Sequence, residues 1–109
     1  TARQKKAALD QKRKQRWLRA WSVARKANLI LRDTYHCTQV MAFGSLVHPE
    51  LFHLGSDVDL AVQGLDEGLF LRAVADVTGL DNEICVDLIA MEEAPESLRQ
   101  VVLREGEEL

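Results

Sequence analysis

The run DVDLAV, residues 57–62, constrains the fold more than any other part of the chain, because it sets two carboxylates one residue apart in a segment that otherwise asks for burial. Side chains of an extended strand alternate between faces, so Val58, Leu60 and Val62 share one face while Asp57, Asp59 and Ala61 share the other. Helices can cover the apolar face, and both aspartates then project together from the opposite one. No Lys or Arg lies between Val40 and Leu71 to neutralise them. Like charges at this spacing repel and raise each other's pKa unless a cation stands between them.

Oxygen-only ligands select Mg²⁺, or Mn²⁺, over zinc, and Mg²⁺ commonly combines a few carboxylates with phosphate oxygens of a substrate. A third carboxylate has a matching setting: Asp87 lies within EICVDLIAM, residues 83–91, between Val86 and Leu88. If that strand pairs beside residues 58–62, the three acids converge on one or two ions, an arrangement suited to in-line phosphoryl or nucleotidyl displacement. The bland alternative is three surface acids on a strand face. Upstream, the β-prone run TQVMAF (38–43) ends in Gly44-Ser45. A glycine at the mouth of a helical turn lets backbone N–H groups approach a phosphate.

The combination resembles the nucleotidyltransferase superfamily of DNA polymerase beta: an apolar strand, Gly44-Ser45, eleven residues, Asp57-x-Asp59 in a second strand and Asp87 in a third. By size it is similar to the minimal nucleotidyltransferase (MNT) group, and the resemblance covers about residues 40–90. It implies a mixed α/β (α+β) nucleotidyltransferase fold, a small sheet flanked by helices. It also implies Asp57, Asp59 and Asp87 as catalytic and metal-binding residues, with Gly44, Ser45 and Ser56 at the nucleotide. The implied cofactor is Mg²⁺, with Mn²⁺ as a substitute, and the implied substrate is ATP. Members of the family transfer a nucleoside monophosphate, often AMP, to a hydroxyl of protein, nucleic acid or small molecule. Minimal members are frequently antitoxins paired with a helical HEPN-type toxin. The alternative is a binding module without activity that masks a partner protein. Where many minimal members carry an arginine after Gly-Ser, this chain has Leu46.

The rest of the chain alternates helical and strand patterns. Residues 7–34 contain no Gly or Pro, and Trp17, Ala20, Trp21, Ala24, Ala27 and Leu31 recur on one helical face. Residues 46–53 predict one or two helical turns. Asp66 as N-cap and Gly79 as stop bracket a second helix over 66–78, and Pro95 opens a last one. The expected organisation of residues 1–109 is one minimal nucleotidyltransferase domain, divided into a basic amphipathic helix (1–35), a catalytic core (38–91) and a C-terminal helical part (92–109).

The formal charge of −3 hides a division that matters more. Residues 1–35 carry eleven Lys or Arg against two acids, a net of +9, and residues 36–109 carry three against fifteen, a net of −12. Such asymmetry suits an RNA-binding arm, a docking helix for an acidic protein, or a homodimer of complementary halves. Trp17 and Trp21 read as a packing stripe rather than a base-stacking platform. His36, His48 and His53 form no metal-binding spacing. Cys37 and Cys85 lack a CxxC pattern and are expected as free buried thiols, which together with the absence of a membrane-length apolar run predicts a cytoplasmic protein.

Overall fold

The computed structural model describes residues 1–109. Helix α1 spans Ala2–Asp33, five residues further toward the N-terminus than the apolar periodicity alone predicts. The extension has a local cause. Thr1 Oγ1 accepts from the Gln4 amide at 3.3 Å and the Gln4 side chain returns to the Thr1 backbone, a capping box that satisfies donors the helix cannot use internally. The basic residues of this first part are thus helical, and residues 1–12 are exposed throughout. Further along, Ala20, Val23, Ala24, Ala27 and Leu31 are buried, the i, i+3, i+4 stripe that seats α1 on the sheet.

Four strands form one sheet in the order β3-β2-β1-β4: β1 is Gln39–Phe43, β2 Val58–Gln63, β3 Val86–Ala90 and β4 Glu107–Glu108. β2 runs antiparallel to β1 and parallel to β3, and β4 pairs antiparallel to β1. The parallel β2–β3 pair requires a crossover, which α2 (Phe70–Thr78) supplies. It is entered by a 3₁₀ turn over Glu67–Leu69, with Asp66 accepting from the Gly68 amide at 2.8 Å, so the predicted cap holds but the α-helix starts four residues later than expected. Two further 3₁₀ turns, Gly44–Val47 and Pro49–Leu51, connect β1 toward β2. Helix α3 is Glu96–Glu105, opened by Pro95 as expected.

The predicted division of β2 by face is borne out on its apolar side. Val58, Leu60 and Val62 are each fully buried in the main core with Val40, Ala42, Val86 and Leu88, beneath α1 and α2. Ala61 is also fully buried, because α3 covers part of the opposite face: Met41, Ala61, Met91 and Val102 form a second, smaller core. Asp59 and Asp87 share that face. Trp17 and Trp21 pack on the main core, ring centroids 6.4 Å apart and planes at 88°. Strand β4 was not anticipated. Neither cysteine is bonded, and Cys37 is buried as expected, but Cys85 is exposed because it stands one residue before β3.

Candidate carboxylate site

Register brings the acids together. In the parallel pair β2–β3, Asp59 is the partner of Asp87, as Val58 is of Val86 and Leu60 of Leu88. Both strands keep an apolar, acidic, apolar order, so burial of the flanking residues on one face forces both carboxylates onto the other. On its other side Asp59 is partnered by Phe43, the last residue of β1. The next residue is Gly44, at φ +72 in the left-handed region. A Cβ there would lie 2.4 Å from Asp59 Oδ2, so glycine satisfies both the turn and the close approach of the carboxylate.

Asp59 is half-buried, and its pKa is pushed from 3.8 up to about 6, first by burial, then by the charges of Asp87 and Asp57. No protein donor offsets those three effects. Burial leads, and the repulsion expected from the sequence adds to it at Asp59.

Asp57 departs from expectation. It stands one residue outside β2, and its Oδ1 accepts from Arg16 Nη2 at 3.3 Å and from the Cys85 amide at 3.1 Å. The nearby stretch of chain indeed contains no basic residue, yet α1 delivers one from 41 positions away. Arg16 also donates from Nε to the Ser56 carbonyl at 3.0 Å and from Nη2 to the Glu83 carbonyl at 3.2 Å. Sequence reasoning missed Arg16 because no local spacing links it to Asp57. Its one signal is position, one residue before Trp17 on the edge of the apolar stripe.

Asp57 bonds to Arg16, and the three aspartates do not form a ready-made ligand group; no three acid, His or Cys side chains converge in that way. The donor chemistry nevertheless fits a hard divalent cation: a half-buried carboxylate without a protein donor, opposed by a second carboxylate and followed by a third whose Oδ2 accepts no protein hydrogen bond.

The other candidates are placed as follows. Ser45 lies half-buried in the first turn after β1, beside Gly44. Ser56 is buried, and its hydroxyl accepts from the His53 amide at 2.9 Å, holding the 53–56 turn that leads into Asp57. Leu46 is fully buried in the main core, and its carbonyl accepts from Trp17 Nε1 at 2.9 Å. His48 lies between Glu50 and Glu105, at 3.6 and 3.2 Å, and His53 Nδ1 accepts from the Gly55 amide. A depression of about 660 Å³ runs along β3 past Leu65, Phe70 and Leu98, and none of the three aspartates lines it.

No family model matches the chain, and no curated protein matches it. Solved structures do. The fold is similar to MNT antitoxin chains of toxin–antitoxin complexes. One, a toxin–antitoxin crystal structure with AMP-PNP, has a TM-score of 0.66 at 26% identity, over 78% of this chain and 70% of that one. A mutant MntA–HpeT toxin–antitoxin structure gives 0.63 at 24%, over the same shares. The tri-AMPylated HEPN toxin of Shewanella oneidensis in complex with its MNT antitoxin gives 0.61 at 22%, over 82% and 70%. The resemblance seen in the motifs thus extends to the fold.

Proposed function

We propose that this chain is a divalent-cation-dependent nucleotidyltransferase that transfers AMP from ATP to a hydroxyl of a partner protein, the partner being a HEPN-type toxin. The observation that carries the reading is the pairing of Asp59 with Asp87 in parallel register, with the left-handed Gly44 turn packed against Asp59. Support comes from the solved relatives, one described with AMP-PNP and one with an AMPylated toxin.

In such a transfer the acceptor hydroxyl oxygen attacks the α-phosphorus while the bond from that phosphorus to the bridging oxygen breaks. Pyrophosphate leaves and the hydroxyl proton needs a base. Asp87 is the exposed member of the trio and is suited to take that proton. Asp59 and Asp57 supply the carboxylate oxygens that would hold Mg²⁺, or Mn²⁺, which when bound neutralises charge on the phosphates. Gly44 and Ser45 present the turn that receives the phosphates. Ser56, also assigned to the nucleotide in this reading, holds the turn before Asp57. No helix is long and apolar enough to cross a membrane. A cytoplasmic setting, where ATP is abundant and the thiols of Cys37 and Cys85 stay reduced, suits this reading.

The test is transfer of label from α-phosphate-labelled ATP, CTP, GTP or UTP to lysate protein and to a co-expressed HEPN-type partner, with Mg²⁺ present. The expected result is AMP transfer by the wild type and none by Asp59→Asn. Transfer that survives Asp59→Asn, or binding of the partner without any nucleotide binding, overturns it in favour of another mechanism or of a masking module.

A further inference from the structure

Arg16 belongs to no motif, yet it is the cation nearest the three acids in contact terms. Its side chain is only 18% exposed, against 35% for Asp57. Two of its hydrogen bonds go to main-chain carbonyls, Ser56 and Glu83, at 3.0 and 3.2 Å, and its longest, 3.3 Å, goes to Asp57. The guanidinium is therefore anchored by groups that do not move with the Asp57 side chain. It is a fixed positive charge against which that side chain can turn. Both bonds to Asp57 fall on Oδ1.

We infer that Arg16 is an internal counter-charge that holds Asp57 away from Asp59 and Asp87 in the cation-free protein and lowers the site's affinity for free divalent cations. The inference rests on the cation-dependent reading of the site given above. Two effects of Arg16 bear on an incoming cation, its tether on Asp57 and its charge. Tethering Asp57 would favour cation binding if it were held in a binding position. However, the three acids do not converge while the Arg16 bond is made, so the tether works against binding, and the charge repels the incoming ion as well. With both acting in one direction, a free ion is held weakly, and the ion that does bind is the one already carried by nucleotide phosphates. Turning Asp57 then loses the bonds from Arg16 and the Cys85 amide and leaves Arg16 on its two carbonyls.

The probe is Mn²⁺ alone, without nucleotide, titrated by electron paramagnetic resonance and calorimetry into wild type, Arg16→Gln, Arg16→Met, Arg16→Lys and Asp59→Asn. Gln retains a donor for a carbonyl and Met retains the apolar stem, so two neutral variants guard against one failing to fold, and far-UV circular dichroism checks each. The expected result is Mn²⁺ binding about three- to tenfold tighter in the neutral variants, given an added charge interaction of this size at a partly exposed site. Arg16→Lys is expected to stay near wild type. Equal or weaker binding in the folded neutral variants overturns the counter-charge role and leaves the carboxylate site standing. Binding that is absent from wild type and from both folded neutral variants alike, or that Asp59→Asn does not remove, overturns the cation reading and this inference with it.

Discussion

The Cβ that Gly44 lacks would lie 2.4 Å from Asp59 Oδ2 and 3.5 Å from Asp59 Cβ, so the steric demand comes from the carboxylate and not from the strand that carries it. Gly44→Ala is therefore expected to cost more than the left-handed φ alone. That φ is worth about 1–2 kcal/mol for a residue with a Cβ. The excess is expected to disappear in an Asp59→Ala background, where only the ordinary 3.5 Å contact remains. A double-mutant cycle by urea denaturation measures it, with an expected coupling of about 1 kcal/mol or more. Additive costs would mean that the turn and the carboxylate are independent.

Asp59 itself carries a pH signature. Its carboxyl is pushed from 3.8 to about 6 by burial, Asp87 and Asp57, so between those values the folded state binds more protons than the unfolded state. Stability is then lost as pH rises from about 4 through about 6, and stays lost above. Asp59→Asn removes that loss. With solvent screening of a half-exposed group taken into account, the variant is expected to be more stable than wild type by about 1 kcal/mol at pH 7.5 without divalent cation, while losing label transfer. The advantage is expected to fade at pH 4. Thermal unfolding at the two pH values is the check, and a variant less stable than wild type at pH 7.5 refutes it.

Local patterns in the sequence made the site partly legible. Val58, Leu60 and Val62 on one side, and Asp87 between Val86 and Leu88, were enough to place Asp59 and Asp87 on one face, and the parallel register sets them side by side. Asp57 follows the same alternation on paper but stands just outside the strand, where its carboxylate accepts from the Cys85 amide and Arg16. That contact joins residues 41 apart, and no periodicity reports it. Strand β4 was illegible for a related reason. Glu107 and Glu108 have no apolar alternation, and they pair with β1 because α3 ends there, with Leu109 donating to the Val40 carbonyl and accepting from Arg32. The extra length of α1, by contrast, was readable: Thr1-x-x-Gln4 has the spacing of a capping box.

Trp17 ties α1 to the turn after Gly44. Its Nε1 donates to the Leu46 carbonyl at 2.9 Å, and its ring meets Trp21 edge to face. Trp17→Phe keeps most of the ring contact and removes the donor, leaving a carbonyl unpaired at an expected cost of about 1–2 kcal/mol. Trp21→Phe removes no hydrogen bond and is expected to cost less. Urea denaturation of both variants gives the comparison, and equal losses would show that ring area rather than the hydrogen bond matters.

Leu46 occupies the place where many minimal nucleotidyltransferases carry an arginine, and introducing one is the natural repair. The structure argues against it. Leu46 is fully buried in the main core, two residues after the left-handed Gly44 and with its carbonyl held by Trp17. An arginine there would have to bury an unpaired guanidinium or pull the turn out of the core, and Arg13 and Arg16 already occupy the Pro49 and Ser56 carbonyls of the following loop. Leu46→Arg is therefore expected to destabilise by about 3 kcal/mol or more and to lower, not raise, ATP binding. Leu46→Met, close in volume, is expected to cost under about 1.5 kcal/mol. Thermal unfolding with and without ATP and Mg²⁺ reads both effects, and a folded Leu46→Arg protein with tighter ATP binding would show that the turn can open toward the phosphates.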